Sequence, residues 1–170
     1  EDALSAVIAQ TEQLYDNALR NMGQEEANIF EAHRMLLEDP EMIDPIRQAI
    51  DGGDNAAFAI SQTMSSVIEM FENMDDDYMR ERAADMKDLR DRLLRAVLGI
   101  SERDISRLPG MVILAAHDLT PSDTARMDKA HVAGILTEVG GRTSHSAIMA
   151  RAMGVPAVVG CAGILSQLRE

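Results

Sequence analysis

Near residue 109 the spacing of apolar residues changes period, so one regular architecture cannot serve the whole chain. Before that point apolar residues recur by threes and fours. Leu4, Val7, Ile8, Thr11, Leu14, Tyr15, Ala18 and Met22 form one stripe, which Gly23 interrupts. "EEANIFEAHRMLLEDP" follows, with Ile29, Phe30, His33, Leu36 and Leu37 on a broad face. Asp39 stops that helix and caps a short one, with Pro40 at its first position, that ends near "DGGD". Asp54 is the expected cap of a third long helix through about Phe71, and Asp75 or Asp76 of a fourth ending at Gly99. The fourth carries Met79, Arg82, Met86, Leu89, Leu93 and Ala96 by threes and fours. Its Asp88–Arg92 and Asp91–Arg95 are acid-before-base pairs at i,i+4, each worth a few tenths of a kcal/mol. These segments predict two antiparallel helical hairpins packed as a bundle.

After that point "MVILAA", "HVAGILTE" and "PAVV" suit short buried strands. Between them, "LTPSDTARM" reads as a helix with Thr120 as N-cap, Pro121 at the first position and Asp123 completing a capping box. "TSHSAIMARAMG" reads as a helix closed by Gly154. Strand, helix, strand, helix, strand predicts a small α/β unit with parallel pairing. The fold class expected is therefore mixed: an acidic antiparallel helical bundle, residues 1–100, joined to a small α/β subdomain, residues 101–170. Three short strands make a thin sheet, and the chain starts at Glu1 rather than a methionine. We expect a portion of a longer protein, with the α/β unit incomplete and further strands lying elsewhere.

Charge separates the halves as well. Residues 1–100 hold 22 Asp and Glu against 9 Lys and Arg, whereas residues 101–170 hold 7 of each. All of the net −13 therefore sits on the helical half, a field that repels nucleic acid and favours a basic protein partner. A solvated helical surface with no partner explains the charge equally well. Three Phe, two Tyr and no Trp leave few platforms for stacking bases. No apolar run approaches the roughly 18 residues of a membrane span. A single cysteine, Cys161, excludes an internal disulfide framework and fits a reducing cytoplasm.

The chemistry-bearing stretch is "GGRTSHSAIMARAMGVPAVVG", residues 140–160. Gly140 and Gly141 permit torsions and close approaches that side chains would block. With Thr143 as N-cap, Ser144, His145 and Ser146 occupy the first helical turn, where backbone N–H groups lack intrahelical partners. That mouth carries roughly half a positive charge, which favours an anion and a neutral imidazole. Neutral imidazole is what a nucleophile requires. A plain turn followed by a capping histidine fits the same residues and is the commoner arrangement. A Ser-His hydrolase fits poorly, since neighbouring helical residues point about 100° apart and no G-x-S-x-G elbow is present. His33, His117, His131 and His145 show no metal-ligand spacing.

This 21-residue stretch resembles the phosphohistidine signature of the phosphoenolpyruvate-utilising enzymes. The helical half narrows the resemblance. "EEANIFEAHRMLLEDPEM", "YMRERAADMKDLRDRLLR" and "DLTPSDTARMD" are similar to the Enzyme I family of the bacterial sugar phosphotransferase system. There a helical subdomain is inserted into a swivelling phosphohistidine domain, an insertion that pyruvate phosphate dikinase and phosphoenolpyruvate synthase do not have.

The resemblance implies a transferase whose His145 is phosphorylated on Nε2 and passes the group to a histidine of the phosphocarrier HPr. Thr124 matches the threonine that orients the active histidine; Gly141, Thr143 and Ser144, at the helix mouth, are the expected phosphate-stabilising residues. HPr docks on the helical subdomain, which makes His33, Met35, Leu36 and Arg82 interface candidates; core packing would explain each of them equally. In the family, phosphoenolpyruvate and Mg²⁺ bind a C-terminal barrel of the same chain, through which the enzyme dimerises. We expect that barrel to lie outside this stretch, which would itself be monomeric, cytoplasmic and without metal or other cofactor. The alternatives are a swivelling domain of a dikinase or synthase, and a non-catalytic helical docking module in which His145 is structural.

Overall fold

A computed structural model describes residues 1–101, 105, 108, 110–142 and 144–168. They form two compact units, one of Glu1–Gln13 with Phe30–Glu102, the other of Leu14–Ile29 with Arg103–Glu170. Residues 14–29, the end of the first helix and the start of the second, thus group with the α/β half.

Among the described residues, five helices precede the sheet: α1 (Asp2–Asn21), α2 (Gln24–Glu38), α3 (Pro40–Asp51), α4 (Ala56–Glu72) and α5 (Asp77–Leu98). In the first unit α4 and α5 pack along one another and α3 against α4. Val7, Leu37, Ile43, Ile46, Ile60, Met64, Ile68, Met86, Leu89 and Leu93 meet in one apolar core. Burying such side chains contributes about 1.5–3 kcal/mol each, which exceeds the few tenths available from surface pairs.

The caps follow the sequence with small displacements. Asp39 accepts from Glu41 N ahead of Pro40, and Asp76 accepts from Met79 N. Gly99 closes α5 at φ +63°. The cap of α4 is Asn55, which accepts from Phe58 N, not Asp54. The glycine turn folds back so that Asp54 N donates to Ala49 O, and the new helix starts one residue later. Of the two acid-before-base pairs, one lies inside the core and the acid of the other takes a different partner. Asp88 and Arg92 are both buried, and Arg92 donates to Val7 O at 3.1 Å and Thr11 Oγ1 at 2.7 Å. Asp91 pairs with its neighbour Arg90 at 3.0 Å rather than with Arg95.

Among the described residues of the second unit, three parallel strands lie in the order β1 (Val112–Ala116), β2 (Val132–Thr137), β3 (Ala157–Val158). Two crossovers join them, α6 (Pro121–Arg126) and α7 (His145–Met153). Ala116 sits opposite Thr137 and Leu136 opposite Val158, so the carboxyl ends of all three strands share one edge. Leu119, Met127, Val132, Ile135, Ala150, Met153 and Val155 form the core beneath the helices. Thr120 and Asp123 make the expected capping box at α6, and Gly154 closes α7 at φ +71°.

Candidate functional site

The loops that leave the carboxyl ends of the strands converge, and two glycines allow it. Gly140 has φ +104°, and a Cβ there would lie 2.9 Å from Ser144 Oγ and 3.2 Å from Ser144 Cβ. Gly160 has φ +78°, and its Cβ would lie 3.2 Å from Gly140 O. Gly141 differs: nothing lies within 4 Å of the Cβ it lacks, so only the first glycine of the pair is forced by packing. The open space at Gly141 borders the mouth of α7.

That mouth is capped one residue later than the sequence suggested. Thr143 lies outside the described residues. Ser144 N donates to Gly141 O at 3.0 Å, a turn that sets Ser144 in extended backbone as the N-cap, with Ala147 N donating to its Oγ at 3.4 Å. His145 is therefore the first residue of the helix. Its residue is half-buried while its Nε2 is buried. Ser146, fully buried, lies 3.1 Å from Ser144 Oγ through its own hydroxyl. From the last turn of α7, Arg151 Nη2 donates to Arg142 O at 2.8 Å and steadies the loop.

Thr124 sits on α6, which packs against α7. It is buried, and its hydroxyl donates to Pro121 O at 2.8 Å. With the proton committed there, its oxygen can only accept from a further group. A carboxylate braces the same end of the sheet. Glu138, just after β2, bonds His117 Nδ1 at 2.9 Å and accepts from Leu165 N at 3.2 Å. The His117 bond holds the Glu138 carboxyl below the usual carboxylate range. The sequence reading missed this brace, although His117 directly follows one predicted strand and Glu138 ends the next.

The other candidates meet in the first unit. His33, Met35, Leu36 and Arg82 line one cavity of about 560 Å³ with Ala32, Asp39, Pro40, Phe71, Asp85 and Met86. Their roles in it differ. Met35 is 64% exposed and Leu36 packs partly on the core. His33 is fully buried, edge-on to Phe30 with ring centroids 5.7 Å apart, and its Nε2 is 3.6 Å from Asp85 Oδ1. Arg82 Nη1 is 3.0 Å from Asp85 Oδ2. Asp85, also buried, was not singled out from sequence. The readable signal was a carboxylate four residues before Leu89, on the apolar stripe of α5.

Among the described residues no group of three or more His, Cys, Asp or Glu side chains could hold a metal ion, and no helix is long and apolar enough to cross a membrane.

Known proteins share this arrangement. The family model described as PEP-utilising enzyme, N-terminal, matches residues 1–82, and that of the PEP-utilising enzyme mobile domain matches residues 108–170. An NMR solution structure of Enzyme I is 41% identical, with a TM-score of 0.82 over 99% of this chain and 68% of that one. The chain belongs to the Enzyme I family. The N-terminal domain of a nitrogen Enzyme 1 is more distant, at 27% identity and a TM-score of 0.67 over 94% of this chain and 65% of that one. Among curated Enzyme I relatives, the phosphoenolpyruvate-protein phosphotransferase of Bacillus subtilis is 44% identical over 94% of this chain. That of Enterococcus faecalis is 44% identical over 99%. The chain spans 28% and 30% of the lengths of these two relatives.

Proposed function

We propose that the chain is the N-terminal phosphotransfer portion of a phosphoenolpyruvate-protein phosphotransferase, exchanging a phosphoryl group between His145 and a histidine of HPr. Residues 1–100 act as the HPr-binding subdomain and residues 101–170 as the phosphohistidine subdomain. The observation that carries this reading is the position of His145. It is the first residue of a capped helix at the carboxyl ends of a parallel sheet, inside the stretch that matches the mobile domain of PEP-utilising enzymes.

In the exchange, the lone pair of a neutral His145 Nε2 attacks phosphorus. The phosphorus–nitrogen bond of phospho-HPr breaks, and its electron pair returns to the carrier's imidazole. The two bonds are nearly alike in energy, so the protein's contribution is positioning and electrostatics. Thr124 orients the ring by accepting from its protonated nitrogen, which leaves the other nitrogen with its lone pair. Gly141 leaves room for the phosphoryl oxygens, and Thr143, Ser144 and the first-turn amides stabilise their charge. Because Nε2 is buried here, the ring must turn before it meets a docked carrier. Met35, Leu36 and Arg82 form the docking rim, with His33 beneath them.

In the whole enzyme phosphoenolpyruvate and Mg²⁺ bind a C-terminal barrel that phosphorylates His145 and forms a cytoplasmic homodimer; the present portion is a monomer. Incubation with phospho-HPr tests the reading. Acid-labile label is expected on the wild-type chain and none on His145→Ala. A folded wild-type chain that takes up no label, or a labelled His145→Ala, would refute it.

A further inference from the structure

Asp85 is a carboxylate inside an apolar core, and such a group must be matched by positive or hydrogen-bonding partners. It lies between two of the residues that line the cavity. His33 approaches from α2 with Nε2 at 3.6 Å, and Arg82 from the preceding turn of α5 with Nη1 at 3.0 Å. His33 is held in turn by Phe30 and has no exposed surface. The Arg82 side chain, by contrast, is 34% exposed. It therefore reaches from a buried carboxylate to the solvent-facing part of the cavity wall.

We infer that Asp85 is a positioning residue for carrier docking, holding the Arg82 guanidinium at the rim of the cavity, with the buried ring of His33 packed behind the carboxylate. This rests on the docking of HPr proposed above. The physical reason lies in the side chain of arginine. A long, unrestrained guanidinium samples many rotamers, and a partner must freeze it on binding. With one nitrogen tied to a buried carboxylate, the planar fork has a fixed direction before the partner arrives. Lysine could keep the charge and the ion pair but would present a point charge without that plane.

The test is a double-mutant cycle read as HPr affinity, by calorimetry, and as KM and kcat for transfer from phospho-HPr. Asp85→Asn should raise Kd and KM about tenfold, the order expected for one charged hydrogen bond, with kcat unchanged. In an Arg82→Ala background the same substitution should add nothing, because Asp85 acts through Arg82. A loss that persists in that background, or a folded Asp85→Asn chain that binds as wild type, would overturn the inference. Arg82→Lys decides independently if Asp85→Asn does not fold. A loss of about tenfold supports the clamp, and wild-type affinity removes it. A wild-type chain that binds no HPr would instead remove the docking reading itself.

Discussion

At the scale of single residues, the two glycines ahead of His145 look alike in the sequence and have unlike tasks. Gly140 sits at φ +104° with Ser144 against the missing Cβ, whereas Gly141 faces open space. Gly140→Ala therefore combines a left-handed backbone with a clash and should cost about 1–3 kcal/mol. In a domain of this size that is several degrees of melting temperature. Gly141→Ala should leave the melting temperature within about a degree, since a small change in open space is worth under about 0.5 kcal/mol. Thermal denaturation of the two variants checks this, and equal losses would mean that the turn is built differently. The pair itself was legible, but which member is forced was not. The contact that decides it, Ser144 Oγ, depends on where the cap falls. The burial of Arg92 was not legible for a related reason. Its i,i+4 spacing to Asp88 is a local fact, whereas its burial against Val7 and Thr11 depends on a helix some eighty positions away in the chain.

At the scale of elements, the helices and the parallel strands were readable because each carries its own signal: a period, a cap, or a short apolar run. Even α3 was placed correctly around Pro45, a residue that would normally stop a helix, since Met42, Ile43 and Ile46 bury its inner face. What was not readable is how the loops after the strands are tied. Glu138 links the loop after β1, through His117, to the 3₁₀ turn Ile164–Ser166 beyond β3, through Leu165 N. That link predicts a pH dependence. The Glu138 carboxyl is held down chiefly by the His117 bond. Its stabilising contribution is thus present above the ordinary glutamate value of about 4.3 and is lost as pH falls through the lowered folded value. The melting temperature of wild type should exceed that of Glu138→Gln at neutral pH, and the gap should close as pH is taken below about 4.3. A gap that stays constant to pH 3 would mean that the carboxylate form of Glu138 is not what ties these loops.

At the scale of the whole molecule, the uneven charge bears on how a partner is captured. The −13 resides in residues 1–100, and residues 101–170 are balanced. A carrier with a basic rim would feel the helical half from beyond contact distance, but only within a screening length of about 8 Å at physiological salt. Long-range attraction raises the frequency of productive encounters, whereas the lifetime of a complex is set by close contacts, here those proposed around Met35, Leu36 and Arg82. Salt should therefore separate the two. Between low and roughly physiological ionic strength, the association rate with HPr should fall by about tenfold while the dissociation rate changes by less than about twofold. Stopped-flow measurements over a salt series distinguish the cases. A flat association rate would show that the acidic surface only keeps the helices solvated. A dissociation rate that rises steeply with salt would place the dominant ion pairs inside the docked interface, with the rim arginine as the first residue to examine.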